Sequence, residues 1–475
     1  MQIGIDRWLE AYGFTGNPFA SREASKENHL NEYFVAPPYF DEVLGDASSP
    51  QTTLIFAPRG GGKTAQRAMV DYHCKPKQTH ENILSITYTD FTPVVEMVKK
   101  DLLQITARNH VDEILKRTIV SLCHYLTEIP SVIDCFHKMP DVDKLYLQWF
   151  ISTYADYLTP RQVSKLNKEK INFLINDDEK IPANIAKYLQ SKVNMPPADL
   201  LRDLSELLYA LNFDAVYVLV DSVDEFDLTA DDPCAAITLI EPLLADLTVM
   251  DLPKVAFKFF LPAELEKLIQ SRPAIRQDRL IFRRIEWTDD VLLELLQRRL
   301  EAFSKHSSLD ALCVPELRGR IEKEMIKIAD GSPRSLIRLG TLLLSEHCEL
   351  AVDNSYEGWL IKEKALDAAK KKFEKEIIFN WGSGQLQEDE PAKKIEKSLR
   401  DTNKYLNQVT STFPAPIAMV CRDFNVQIAP QQKFKRLLDL FEVTMIFSAF
   451  VLIFEYVSKT SSNKEKNPKK FWAEL

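Results

Sequence analysis

An α/β fold, in which a parallel sheet carries helices on both faces and is followed by a helical lid and a C-terminal all-helical unit, follows from three observations. A short apolar run at 52–57 leads through three consecutive glycines into a helical pattern at 64–74, although the chain holds only 13 glycines in 475 residues. A continuous apolar run at 215–220 ends in carboxylates. From Thr288 onward the apolar spacing is helical throughout.

The elements follow in chain order. Residues 1–50 interleave turn formers with aromatics, as in Gly13-Phe14-Thr15-Gly16-Asn17-Pro18-Phe19 and Tyr33-Phe34-Val35-Ala36-Pro37-Pro38-Tyr39-Phe40. Such a segment, without a helical or strand period, is expected to pack on the domain that follows. That domain spans 51–287. Its strands are expected at 52–57, 82–89, 215–220, 255–261 and 280–287, with a helix at 235–247 between the third and fourth. Strands that alternate with helices imply a parallel sheet covered on both sides. Between the second and third strands, 92–210 is dominated by helical spacing and reads as an insertion. A helical lid at 288–350 is built from helices expected at 290–303, 315–329 and 334–347. A connector at 351–410, rich in Lys and Glu, reads as a solvated helical arm in which Lys370 to Lys372 lie on a water-facing side. Residues 411–475 form a compact helical unit with a polar, frayed tail after Ser458. No repeat appears at any period between about 20 and 50 residues.

A formal net charge of −9 opposes a strongly basic surface built to grip nucleic acid along the whole chain, and leaves room for a local basic patch. The 7 cysteines are odd in number and irregularly spaced, and the N-terminus carries no secretory pattern, so reduced thiols in a cytoplasmic protein are expected. The longest uncharged apolar run, 443–454, falls well short of the roughly 20 residues that span a bilayer, and no membrane contact is expected. Cys123, His124, Cys135 and His137 offer sulfur and nitrogen ligands at spacing that suits zinc poorly. Trp149, Phe150 and Trp287 read as core residues rather than stacking platforms for bases.

Ala57-Pro58-Arg59-Gly60-Gly61-Gly62-Lys63-Thr64 matches the Walker A pattern, with alanine at its permissive first position and the required strand and helix on either side. The glycines let backbone N–H groups approach phosphate oxygens, and the positive end of the following helix faces the same anions. ATP is therefore the expected ligand, held by Arg59, Gly60, Gly61, Gly62, Lys63, Thr64 and Ala65. Lys63 is expected to bridge the β- and γ-phosphates, and the Thr64 hydroxyl to enter a Mg²⁺ shell. Asp221-Ser222-Val223-Asp224-Glu225 follows an apolar strand directly, at the carboxyl edge where open α/β sheets bind ligands. Asp221 is the expected second Mg²⁺ residue, and Glu225 the base that orients the attacking water. Asp224 can share either role.

An apolar strand that ends in Asp, a small residue, an apolar residue and Asp-Glu resembles the Walker B form of STAND NTPases and of origin-recognition-type AAA+ ATPases, of a bacterial type. Gly331-Ser332-Pro333-Arg334 adds to the resemblance. It is similar to the Gly-x-Pro motif of a STAND lid and to the sensor arginine at the start of an AAA+ lid helix, and either likeness implies Pro333 and Arg334 close to ATP. The resemblance extends over about residues 15–350 and rests on three short segments. It also implies an arginine finger from just before the last strand, where Arg276 and Arg279 stand beside Arg272.

Two features depart from those families. The strand at 255–261 offers only Lys258, and Glu264 beyond it, in place of a polar sensor, and no superhelical repeat follows the lid. The resemblance implies an ATPase that acts as a regulatory switch, changing domain arrangement or assembly as a homo-oligomer or with a separate effector protein, in settings that include antiviral defence and signalling. A DNA-handling ATPase akin to origin-recognition loaders is the alternative, and a small-molecule kinase a third.

Overall fold

A computed structural model of the chain describes residues 4–20, 27, 29–75, 82–154, 195–230, 232–350 and 359–382. The unit expected at 411–475 and most of the connector lie outside them. Contacts gather Met1–Phe379 into one unit, to which the following description applies.

Five strands form one parallel sheet in the order β2-β3-β4-β1-β5: β1 Thr53–Ala57, β2 Ile83–Tyr88, β3 Ala215–Val220, β4 Val255–Pro262 and β5 Ile281–Arg284. Both faces are covered, so β1, β3 and β4 are buried along their whole length and read as near-continuous apolar runs rather than alternating ones, with Thr53 in β1 and Lys258 in β4 as polar members. The pleat sends Leu54, Phe56, Ile86, Val218, Phe257 and Phe259 into one core. Ile55, Ala57, Tyr217, Leu219 and Phe260 enter the other.

The helix Ala107–Glu128, expected as part of an insertion, supplies a layer of the sheet domain. Its Val111, Ile114, Leu115, Ile119 and Leu122 recur at helical spacing and share a core with Leu84, Ile86 and Tyr88 of β2. Thr106 and Asn109 close a capping box at its start. Trp149 and Phe150 are buried in the same core.

Other boundaries differ from the sequence expectation for local reasons. The helix expected at 235–247 ends at Leu244, and a separate turn, Leu247–Met250, begins because the Asp246 carboxylate caps Thr248 and Val249. The helix expected at 315–329 is a short turn at Pro315–Leu317 and a helix at Ile321–Ala329, parted by Gly319 at φ +71°. β5 stops at Arg284, Ile285 still donates to the Phe56 carbonyl of β1 at 2.8 Å, and 286–287 runs on towards the lid.

The lid helices are Asp289–Phe303, Ile321–Ala329, Pro333–Leu350 and Glu363–Gly382. The last of these is not a solvated arm within the described residues. Its Ala365, Leu366, Ala369 and Phe373 are buried in the lid core, while Lys370 pairs with Glu324 and Lys372 with Glu346. Alternating Lys and Glu disguised an apolar stripe at helical spacing.

The N-terminal segment divides between two cores. Trp8, Leu9, Phe14 and Phe19 pack into the lid, whereas Leu30, Tyr33, Val35, Phe40 and Val43 pack on the sheet. The Phe19 ring packs against Gly340 in mid-helix, where an added Cβ would stand 2.7 Å from Phe19 Cγ. The Thr341 hydroxyl donates to the Phe19 carbonyl at 2.8 Å.

Candidate functional site

β1 delivers the chain to the glycine loop, and the helix Lys63–Cys74 leaves it. Gly62 holds φ +91°, a region closed to most side chains, and a Cβ on Gly61 would stand 2.9 Å from the Pro58 carbonyl oxygen. The helix has no side-chain cap at its N-terminus, so its first amides are presented to the cleft.

β3 delivers the acidic turn from two strands away, with β4 between. Asp221 is buried, and its carboxylate takes a hydrogen bond from Arg67 Nε at 3.2 Å and lies beside the Thr64 hydroxyl. Burial raises the Asp221 pKa above the ordinary carboxylate value, while Arg67 works in the opposite direction. Ser222 turns the chain at φ +64°, an uncommon conformation for a residue with a side chain. Asp224 Oδ2 stands 3.5 Å from Lys63 Nζ, and its buried Oδ1 has no partner among the described residues. Glu225 is exposed, and its Oε2 accepts from the Ser222 hydroxyl at 3.1 Å.

These groups line one cleft of about 1080 Å³. Arg59, Gly60, Gly62, Lys63, Thr64, Ala65, Asp221, Asp224 and Glu225 form one end, with Pro333 and Arg334 of the lid against it. Gly61 forms the back of the loop, where its carbonyl accepts a hydrogen bond from Trp287 Nε1 at 2.8 Å. Arg334 packs so close to the loop that a Cβ on Gly60 would stand 3.1 Å from its own Cβ. The far end is walled by 33–38 of the N-terminal segment and by Ile285, Val291, Leu295 and Ile337.

Several expected residues stand elsewhere. Arg276 and Arg279 precede β5 and so lie at the strand-start edge, opposite the glycine loop. Arg276 pairs with Asp278 at 2.9 Å and Arg279 with Asp251 at 3.6 Å. Lys258 is no sensor, because its position in mid-strand sends the buried ammonium to the Gln51 carbonyl at 2.8 Å, at the start of β1. Burial lowers its pKa to about 8. Glu264 does not line the cleft.

Three cleft residues escaped the sequence reading. Arg67 shares a helix face with Lys63 by its i, i+4 spacing, and this was its one available signal. Trp287 packs partly into the cores, as expected, and also bonds to the glycine loop. Gln66 carries no motif. No single described helix is long and apolar enough to cross a membrane.

No family model and no curated protein matches the chain. Among solved structures it is similar to the ORC2 protein of Aeropyrum pernix, described as ADPNP-ADP complexes, at 11% identity over 88% of this chain and 90% of that one, with a TM-score of 0.34. A likeness of that extent carries no functional argument, so function rests on the residues of the cleft.

Proposed function

We propose that the cleft binds ATP with Mg²⁺ and hydrolyses it, and that the chain uses this turnover as a switch. The observation that carries this reading is the convergence of Lys63 and Thr64 with Asp221 and Asp224 at one end of a single cleft, beneath Pro333 and Arg334. A glycine turn with only a structural role has no need of a lysine and two separate carboxylates at its mouth.

The loop amides and the helix N-terminus cradle the phosphates, and Lys63 exchanges Asp224 for phosphate oxygens. Thr64 and Asp221 present two hard oxygen donors side by side, which suits Mg²⁺. Bound there, the ion would supply positive charge against the phosphate oxygens. Arg67 holds the Asp221 carboxylate in place. Glu225, exposed at the cleft mouth and steadied by Ser222, orients the attacking water and accepts its proton. Arg334 brings a lid cation to the same phosphates.

The partners belong to the same reading. Arg276 and Arg279, exposed on the strand-start edge, would reach the cleft of a second copy in a homo-oligomer, and a separate effector protein would read the resulting state.

Turnover of ATP by the wild type, Lys63→Ala and Glu225→Gln tests the site, with mass in solution followed by light scattering. Lys63→Ala should lose binding, and Glu225→Gln should retain ATP with Mg²⁺ while turnover stops. Normal turnover in both variants overturns the assignment. Turnover accelerated by added DNA would favour a DNA-handling ATPase over the switch.

A further inference from the structure

We propose that Gln66 reads the base in this cleft and selects adenine, a step that rests on the nucleotide reading above. Gln66 is the fourth residue of the Lys63–Cys74 helix, lines the cleft and is only 2% exposed. Among the described residues neither its Nε2 nor its Oε1 closes a hydrogen bond. Buried side-chain amides are almost always satisfied, and leaving one unmade is unfavourable, so both groups of this amide are matched to something other than the chain. The Tyr39 hydroxyl, also buried, lies beside it near enough to interact with the amide, yet no hydrogen bond of normal geometry closes between them among the described residues.

The position narrows the ligand. Lys63 and Thr64 mark the phosphate end, and Gln66 lies about 5 Å further along the same helix, one turn on. Beyond the phosphate end the cleft offers apolar walls in Val35, Pro37, Ile285, Val291 and Leu295, with Glu27, Glu286, Glu294 and Arg299 also in its lining. A flat ring whose edge carries one donor and one acceptor fits apolar walls with an unsatisfied amide between them. Adenine offers that edge in its N6 amino group and N7, which a glutamine pairs with through two hydrogen bonds. Guanine offers O6 and N7 on the same edge, both acceptors, and would set an acceptor against Oε1.

The test uses the full chain and Gln66→Met, which preserves side-chain length and removes both hydrogen-bonding groups. ATP, GTP and tripolyphosphate are titrated calorimetrically, and thermal unfolding of the nucleotide-free protein is recorded. The wild type should prefer ATP, and Gln66→Met should lose about tenfold in ATP affinity, the equivalent of one base-reading pair. GTP and tripolyphosphate affinities should hold, and the unfolding temperature should not fall, because the amide closes no hydrogen bond among the described residues. If Gln66→Met folds poorly, Gln66→Leu serves the same comparison.

An unchanged ATP-to-GTP ratio in the variant overturns the inference and means that solvent or the ribose satisfies Gln66. Equal weakening of ATP and GTP overturns it in favour of a ribose contact. Failure of the wild type to bind any of the three probes sinks the nucleotide reading itself, an outcome distinct from both.

Discussion

Asp224→Asn should tighten ATP binding when Mg²⁺ is absent. In the nucleotide-free protein Asp224 Oδ2 lies 3.5 Å from Lys63 Nζ, with the two side chains 21% and 10% exposed. At that distance and an effective dielectric constant of about 20, the gross attraction is about 5 kcal/mol. Desolvation and residual water contact offset most of it, leaving about 1–2 kcal/mol net for a pair of this exposure. ATP must break the pair to recruit Lys63, and it must also approach the Asp224 charge. Removing that charge assists on both counts, so affinity in EDTA should rise by about five- to thirtyfold. Titration with a fluorescent ATP analogue in EDTA reads the effect, and the same substitution on a Lys63→Ala background should not restore the binding that Lys63→Ala loses. With Mg²⁺ restored, turnover should fall, because Asp224 also supports the acidic end of the cleft. Unchanged or weaker binding in EDTA would refute the idea that Asp224 tethers Lys63.

Other expected outcomes test the scaffold and the acidic turn. His110 is buried between the Tyr88 hydroxyl and the Leu239 carbonyl, and burial holds its pKa down at about 4 from an ordinary 6.5. The unfolded chain takes up the proton first as pH falls, so stability should be intact above pH 6.5 and decline towards pH 4, by about 3 kcal/mol in all for this residue. Urea unfolding should show a shallower acid slope for His110→Gln, and an unaltered slope would count against the buried neutral imidazole. Gly340→Ala gains up to about 1 kcal/mol of helix propensity but drives its methyl into the Phe19 ring, which costs about 1–3 kcal/mol. The unfolding temperature should drop and recover with Phe19→Leu, and a rise in the single variant would disprove the contact. Arg67→Met strands a buried Asp221 carboxylate and should cost about 3 kcal/mol. Mg²⁺ with ATP should stabilise that variant more than the wild type, and equal stabilisation would argue against Arg67 as the charge partner of Asp221.

The sheet was legible wherever burial on both faces left an uninterrupted apolar run. β3 lies at 215–220, as its residues alone suggest, and the glycine-loop helix begins one residue earlier than expected, at Lys63. The two motif ends of the cleft were legible for a related reason, since each sits on the residue that ends a strand. The rest was hidden because it depends on distant partners. Nothing local ties Arg67 to Asp221 or Trp287 to Gly61, because those pairings arise from strand order. The place of Lys258 was hidden too, since only strand register shows that its long stem crosses the core to the Gln51 carbonyl. The N-terminal aromatics gave no period, so their division between two cores could not be seen.

That division constrains how the switch can work. The lid helix Asp289–Phe303 places Leu292, Leu296 and Leu300 in the lid core and Leu295 in the sheet core. Its Arg299 pairs with Glu27, with side chains 4% and 5% exposed, and donates to the Pro18 carbonyl. Swinging the whole lid off the sheet would re-expose Leu295, at about 2 kcal/mol, and part a buried ion pair, at about 3–5 kcal/mol. Nucleotide coupling usually supplies about 1–3 kcal/mol, too little for that motion. The hinge available is smaller. Asp330 and Gly331, at φ +46° and +71°, turn the chain directly before Pro333 and Arg334, and 286–287 joins the end of the sheet, where Ile285 still bonds to Phe56, to the lid. ATP should therefore change hydrogen-exchange protection in 58–64, 222–226, 285–288 and 330–338, while the junction of Leu295 and Arg299 stays protected. Deprotection of that junction on ATP binding would mean that the lid moves as a whole and that the energies set against it here are too large.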